Sequence, residues 1–177
     1  MRTLIVAVIL CITTGIFVEK IGSARLTIPF RLARLQFREP DRGLLIPVSG
    51  VAVRKVTDTW SAPRSGGRLH QGQDIFAPRG TPVVSATEGI VVRVGTNRLG
   101  GKVVSIIGAG GRLYYYAHLD GYAEGLDVGH TVSKGSTIGY VGNTGNARGT
   151  PPHLHFGVYT PAGALNPLPM FVDRGQI

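Results

Sequence analysis

Only one cysteine occurs among the 177 residues, so no disulfide framework can hold this chain together. That residue, Cys11, sits inside an uncharged apolar run from Thr3 to Val18. It follows Leu10 rather than a small residue, and so reads as a member of the run and not as a lipid-attachment site. Everything downstream is free of thiol and indifferent to the redox state of its compartment. Acidic residues are scarce too, with ten Asp and Glu against nineteen Lys and Arg and a formal net charge of +9. The excess is spread along the chain, four charges in residues 1–50 and five beyond, which gives diffuse attraction to polyanions. No basic helix, zinc-finger spacing or aromatic stacking platform accompanies it, and no nucleic-acid partner is expected. Helical periodicity is missing after residue 43. The strand candidates there stand too close together for βαβ crossovers.

What is present divides the chain into four stretches. Residues 1–24 hold the apolar run, slightly short of the roughly 20 residues that span a bilayer and longer than most signal-peptide cores. Glu19 and Lys20 separate it from the small residues Gly22-Ser23-Ala24, which favours an uncleaved membrane anchor over a cleaved signal peptide. Export is expected in either case. Residues 25–49 form a basic juxtamembrane linker in which Arg25, Arg31, Arg34, Arg38 and Arg42 alternate with apolar side chains, a pattern suited to anionic lipid headgroups or to packing on a domain. Residues 50–170 are the folded domain and 171–177 a tail.

Glycine, 26 residues in all, is concentrated after residue 65 between short β-branched runs. Leu44 to Val53, Val83 to Ala86, Gly89 to Val94, Lys102 to Ile107, Arg112 to His118, Thr137 to Val141 and His153 to Tyr159 each read as a strand. The expectation is an all-β domain, a compact antiparallel sheet or sandwich with a groove over the sheet, preceded by an N-terminal hydrophobic helix.

Four of the five histidines fall in three segments. In Pro152-His153-Leu154-His155-Phe156-Gly157-Val158, strand alternation sets His153 and His155 on one face and Leu154 and Phe156 on the other. In His70-Gln71-Gly72-Gln73-Asp74, glycine favours a loop entering a strand, where an imidazole and a carboxylate can close on one ion at about 2 Å. In Arg112 to Leu119, alternation places Tyr114, Tyr116 and His118 on a common face. The fifth histidine, His130, sits in a polar turn and is left out.

With these motifs together, the sequence resembles the lysostaphin/LytM-type zinc metallopeptidases that cut peptidoglycan peptides. The resemblance covers roughly residues 50–168. It rests on His70-x-x-x-Asp74, Tyr116-Ala117-His118-Leu119, Gly142-Asn143-Thr144-Gly145, and Gly149 through Phe156 followed by Asn166-Pro167. The resemblance implies that His70, Asp74 and His155 bind Zn2+, leaving one coordination position open as a catalytic site requires. It also implies that His118 and His153 handle the water proton and the developing oxyanion, as neutral and protonated imidazoles can. Tyr116, on the same face as His118, is expected to touch substrate or the oxyanion, with a packing role as the alternative. Loops near residues 61–69, 96–101, 120–130 and 145–152 are expected to wall the groove, with Asn143 and Thr144 shaping its border and Asn166 bonding locally to backbone.

The function so implied is a zinc metalloendopeptidase hydrolysing peptide stems or cross-bridges of peptidoglycan, membrane-anchored or secreted, and facing the cell wall or periplasm. A non-catalytic regulator that activates a cell-wall amidase is the alternative. All five site residues are retained, which argues against it, and a plain wall-binding module would explain the charge but not those residues.

Overall fold

The computed structural model describes residues 28–175. The expected N-terminal hydrophobic helix, the choice between anchor and signal peptide, and the start of the basic linker lie outside them. Residues 28–36 are helical, and among the described residues no helix is long and apolar enough to cross a membrane. The chain divides into a first unit ending at Arg34 and a second, Leu35–Ile177, that carries the strands.

The strands in chain order are β1 (Leu44–Leu45), β2 (Pro63–Arg64), β3 (Arg68–Leu69), β4 (Gln73–Phe76), β5 (Pro82–Val84), β6 (Gly89–Asn97) and β7 (Gly101–Gly108). They continue with β8 (Leu113–Tyr122), β9 (Thr131–Val132), β10 (Thr137–Val141), β11 (His153–Thr160), β12 (Gly163–Leu165) and β13 (Phe171–Val172). Nine of them form one antiparallel sheet in the order β12-β11-β8-β7-β6-β9, with β4 on β11 and β10 joining β8 to β5. The all-β expectation holds. The central strands are the β-branched and aromatic runs, whose side chains pack well on a pleated surface.

One face of the sheet is the core. Leu154, Phe156 and Val158 of β11, Tyr114 and Tyr116 of β8, and Val104 and Ile106 of β7 are fully buried on it. Phe156 sits at its centre, 5.1 Å from the Tyr116 ring and 5.6 Å from Phe171. The core reaches beyond 50–170 at both ends. Leu44, Leu45, Ile46 and Val48, assigned above to the linker, are buried in it, and β1 pairs in parallel with β13. The segment is not the single strand expected over Leu44 to Val53. Pro47 has no N–H to give a ladder, and only Leu44–Leu45 and an isolated bridge at Val48 pair before a 3-10 turn at Val53–Lys55.

The opposite face carries the site, and β8 is where it is shaped. From Leu113 to Ala117 this strand pairs with β11, and from Leu119 onward with β10. At the change of partner, Lys102 of β7 faces Leu119 while Val104 faces Tyr116. Ala117 and His118 therefore share one opposing residue, which makes a β-bulge. His118 takes a positive φ of 63° there, a conformation uncommon for a side-chain-bearing residue.

Candidate metal centre and groove

The bulge corrects one expectation directly. Simple alternation would put Tyr116 beside His118, but the extra residue breaks the period, so His118 faces the groove while Tyr114 and Tyr116 face the core. Tyr116 is fully buried, and its hydroxyl accepts a hydrogen bond from the Ala86 backbone N–H at 2.9 Å. It cannot touch substrate. Tyr115, one residue earlier, lines the groove instead, together with Tyr159 of β11. The Tyr115 ring lies edge-on to His155 with centroids 6.1 Å apart.

The groove encloses about 660 Å³. Its walls come from three of the four expected loops: Arg64, Arg68 and Leu69 in the first, Leu99 and Gly100 in the second, and Asn146, Ala147, Thr150 and Pro151 in the third. The 120–130 loop contributes nothing, because past the bulge β8 turns away to pair with β10.

His153 and His155 project from β11 into the groove as alternation requires, and β4 runs antiparallel beside them with His155 opposite Asp74. His70 arrives from the preceding turn. Three atoms converge: His70 Nε2 and His155 Nδ1 are 2.8 Å apart, and Asp74 Oδ1 lies 3.2 Å from the first and 3.1 Å from the second. These residues could hold a metal ion, and no other group of three possible ligands occurs among the described residues. Two imidazole nitrogens and one carboxylate oxygen, aimed at a common point, suit a three-ligand zinc site.

Each of the three is backed by a further contact, as a ligand role would require. His70 Nδ1 donates to the Thr59 carbonyl at 2.7 Å, which leaves Nε2 unprotonated and facing inward. The Asp74 backbone N–H donates to Thr59 Oγ1 at 2.9 Å, and Arg64 Nη2 donates to Asp74 Oδ2 at 2.5 Å. Gln73, fully buried, donates to the Thr57 carbonyl and accepts from the Thr59 N–H, holding the 57–59 loop under the site. The His155 ring packs against Gly72, where an added Cβ would stand 2.6 Å from its Cε1. Burial of Asp74 works to raise its pKa, but the His155 and His70 imidazoles beside it outweigh that and hold the carboxyl well below the usual range. Burial pushes His155 down despite Asp74, favouring a neutral imidazole.

The profile of peptidase family M23 matches residues 68–167. The chain belongs to that family. An L-Ala–D-Glu endopeptidase of Bacillus subtilis is 42% identical over 112 residues, 59% of this chain and 34% of the relative. Lysostaphin of Staphylococcus simulans is 34% identical over 115 residues, 62% of this chain and 22% of the relative. This M23 chain thus spans about a third or less of the curated relatives it matches. Among solved structures, the catalytic domain of S. simulans lysostaphin superposes with a TM-score of 0.58 at 31% identity, covering 66% of this chain and 92% of that one. A zinc-containing peptidase from Vibrio cholerae superposes with a TM-score of 0.60 at 30% identity, covering 71% and 39%.

Beside these three residues, the M23 groove holds two more imidazoles. The His118 ring lies 5.1 Å from His153 and 5.9 Å from His155, centroid to centroid. His118 Nδ1 donates to the Thr144 carbonyl and His153 Nδ1 to the Pro151 carbonyl, both at 2.8 Å. In both rings this fixes the tautomer that keeps Nε2 free as an acceptor. Burial, only partly offset by the Thr144 hydrogen bond, lowers the His118 pKa to about 4.

The Gly142-Asn143-Thr144-Gly145 loop earns its place by holding His118. Thr144 Oγ1 donates to the Leu119 carbonyl and accepts from the Lys102 N–H, both at 2.9 Å, so it straddles the bulge. Asn143 donates to the Thr150 carbonyl and accepts from Arg79, which also pairs with Asp120. Gly145, at φ 71°, packs so close to the 99–101 turn that a Cβ would lie 2.3 Å from Leu99 O and Gly101 N. Asn166 accepts from the Leu168 N–H, the local role expected of it. Thr59, Arg64, Tyr115 and Tyr159 escaped the sequence reading. Arg64 lies only ten residues before Asp74, yet nothing in its spacing marks it as a partner.

Proposed function

We propose that this chain is a zinc-dependent endopeptidase that hydrolyses peptide bonds in peptidoglycan and works at the cell wall, exported and held at the membrane through its N-terminal segment. The observation that carries the reading is the convergence of His70 Nε2, Asp74 Oδ1 and His155 Nδ1 beside two imidazoles whose free nitrogens face the same groove. The names of the relatives, peptidoglycan endopeptidases among them, support the substrate class.

His70, Asp74 and His155 would hold the zinc, which when bound supplies Lewis acidity to polarise a peptide carbonyl and to acidify water. The rest falls to this chain's own side chains. His118 and His153 each present Nε2 with Nδ1 already satisfied by a carbonyl, so each can take one proton at a defined atom without turning its ring. One accepts the proton of the attacking water, and the other, once protonated, stabilises the oxyanion and passes its proton to the departing amine. Tyr115 and Tyr159 line the floor, where an extended peptide can lie along the strands. With all five side chains in place, the regulator alternative has no observation in its favour.

Metal analysis of the purified chain is expected to give about one zinc per chain. Digestion of purified peptidoglycan followed by mass spectrometry of the released muropeptides then identifies the bond cut. A zinc-loaded protein that releases nothing from any muropeptide would refute the endopeptidase assignment.

A further inference from the structure

We infer that the Tyr115 hydroxyl is a fixed hydrogen-bond donor for a backbone carbonyl of the bound peptide, and that Asn97, which does not itself line the groove, sets its direction. The inference rests on the peptidase reading and deepens it, assigning a substrate-binding residue and a positioning residue behind it.

Two tyrosines line the groove, Tyr115 of β8 and Tyr159 of β11, with ring centroids 6.5 Å apart. Their hydroxyls are committed differently. Tyr159 donates its hydrogen to the Gln71 carbonyl at 3.0 Å. Tyr115 accepts from Asn97 Nδ2 at 3.0 Å, and among the described residues its own O–H has no acceptor. The polarity of the Asn97 contact is dictated from the far end of the carboxamide. Asn97 Oδ1 receives the Gly100 N–H at 2.6 Å, a bond that an amide nitrogen cannot accept. The carboxamide is thus held at both ends, with Nδ2 toward Tyr115. A phenolic oxygen that is already accepting still has one hydrogen to give, and the half-buried Tyr115 side chain brings it to the groove.

The side chain that carries this donor is held on two sides. Asn97 closes β6 and Gly100 immediately precedes β7, so both belong to the 97–101 turn that forms one wall. Gly100 lies so close to the phenol that an added Cβ would stand 2.1 Å from the Tyr115 oxygen. The Gly100 carbonyl also receives the His118 N–H at 2.7 Å, which ties the donor to the backbone of a site histidine. On its other side the ring meets His155 edge-on. A neutral, immobile donor beside the five site residues suits a peptide carbonyl, the acceptor that an extended chain repeats at every residue. Water can satisfy the hydroxyl in the free protein, and a carbonyl in its place reproduces the bond. Because the donor is oriented before the peptide arrives, little ordering is left for binding to impose.

The test measures calorimetric binding of a purified cross-linked muropeptide to the zinc-loaded full-length chain, in a His153→Ala background that halts turnover. Tyr115→Phe keeps the ring and deletes the donor, and is expected to weaken binding about fivefold, the worth of one neutral hydrogen bond. Asn97→Asp tests the positioning role without changing shape. A carboxylate there still receives the Gly100 N–H, but it has no hydrogen to give and takes the Tyr115 O–H instead, which turns the donor away from the groove. It should lose as much as Tyr115→Phe, at low and high salt alike, and the double variant should lose no more than either single one. Two residues that merely pack the turn would give losses that multiply. Zinc content and thermal unfolding are measured on each variant. Parent affinity in Tyr115→Phe or in Asn97→Asp, multiplying losses in the double variant, or no binding by the parent would overturn the inference. Hydrolysis with His153 restored is read separately. There Tyr115→Phe should raise KM and leave kcat within about twofold, whereas a muropeptide bound through Tyr115 but never cut leaves the donor standing and removes the peptidase reading.

Discussion

The five site residues form two corners of one groove that are built in opposite ways. In the first, His70, Asp74 and His155 turn their inner atoms on one another at 2.8–3.2 Å, and each outer contact serves to aim a donor at a shared point. In the second, His118 and His153 turn their Nδ1 atoms away, to main-chain carbonyls, and keep Nε2 free. The first arrangement suits holding an ion and the second suits moving protons. His153 and His155 are two residues apart on one strand, so the division of labour comes from their neighbours and not from their position in sequence.

Breaking one corner and then the other gives the largest expected effect. His155→Ala removes a ligand and should abolish both zinc binding and turnover. His153→Ala should lower kcat by about 10²–10⁴-fold, the usual worth of a general acid or base, while the zinc content stays near wild type. Metal analysis and muropeptide release on the two variants separate the corners, and zinc lost equally from both would merge them.

Next comes a residue that acts through a ligand. At Gly72 a Cβ would stand 2.6 Å from His155 Cε1 and 2.8 Å from the Phe156 carbonyl, and backbone on that side leaves the ring as the part that must shift. Gly72→Ala is therefore expected to weaken zinc affinity about 10–100-fold, the range seen when support for a ligand is lost. Chelator competition measures it. An unchanged affinity would mean that the ring is held elsewhere.

The first corner was legible in sequence because its signal is chemical: histidine and aspartate at short spacing, and a second histidine on a strand with clear alternation. His153 and His155 obeyed that alternation, since β11 pairs without a register shift. The sheet was legible for the same reason, its central strands being β-branched runs separated by glycine. The second corner was legible only in identity. His118 is placed by a bulge, and a bulge depends on which strands compete for the same edge, a long-range fact that no local period carries. The same blindness hid Arg64 and Thr59, whose roles exist only once the β2–β3 hairpin and the 57–59 loop close over β4. It also left the start of the domain too late, because Leu44 to Val48 are buried by β13 and the Val48–Val83 bridge, contacts far away in sequence.

A pH experiment sharpens the second corner through stability. His118 has its pKa lowered from 6.5 to about 4, chiefly by burial. Its folded form stays neutral where the unfolded chain takes up a proton. The stability associated with this group is therefore complete above pH 6.5, is lost progressively as the pH falls from 6.5 to about 4, and changes no further below that. A shift of this size corresponds to roughly 3 kcal/mol. Urea unfolding of the metal-free protein at steps between pH 7 and 4.5 should show the slope in wild type and a flatter one in His118→Asn, whose amide can still donate to the Thr144 carbonyl. Parallel slopes would show that the ring is open to water.

The smallest expected effect tests the two faces of β8, the strand that links the corners. Tyr116→Phe removes a hydroxyl that meets no solvent and accepts from the buried Ala86 N–H. It should reduce unfolding free energy by about 1–2 kcal/mol, the penalty of one unpaired buried donor, and leave KM alone. Tyr115→Phe removes a hydroxyl at the groove that accepts from Asn97 at 3.0 Å, and there KM should move while stability changes less. The pair is informative because both substitutions delete one oxygen from adjacent residues of one strand. A rise in KM in Tyr116→Phe would put that side chain back on the groove face, where simple alternation had it, and would remove the bulge as the reason His118 stands where it does.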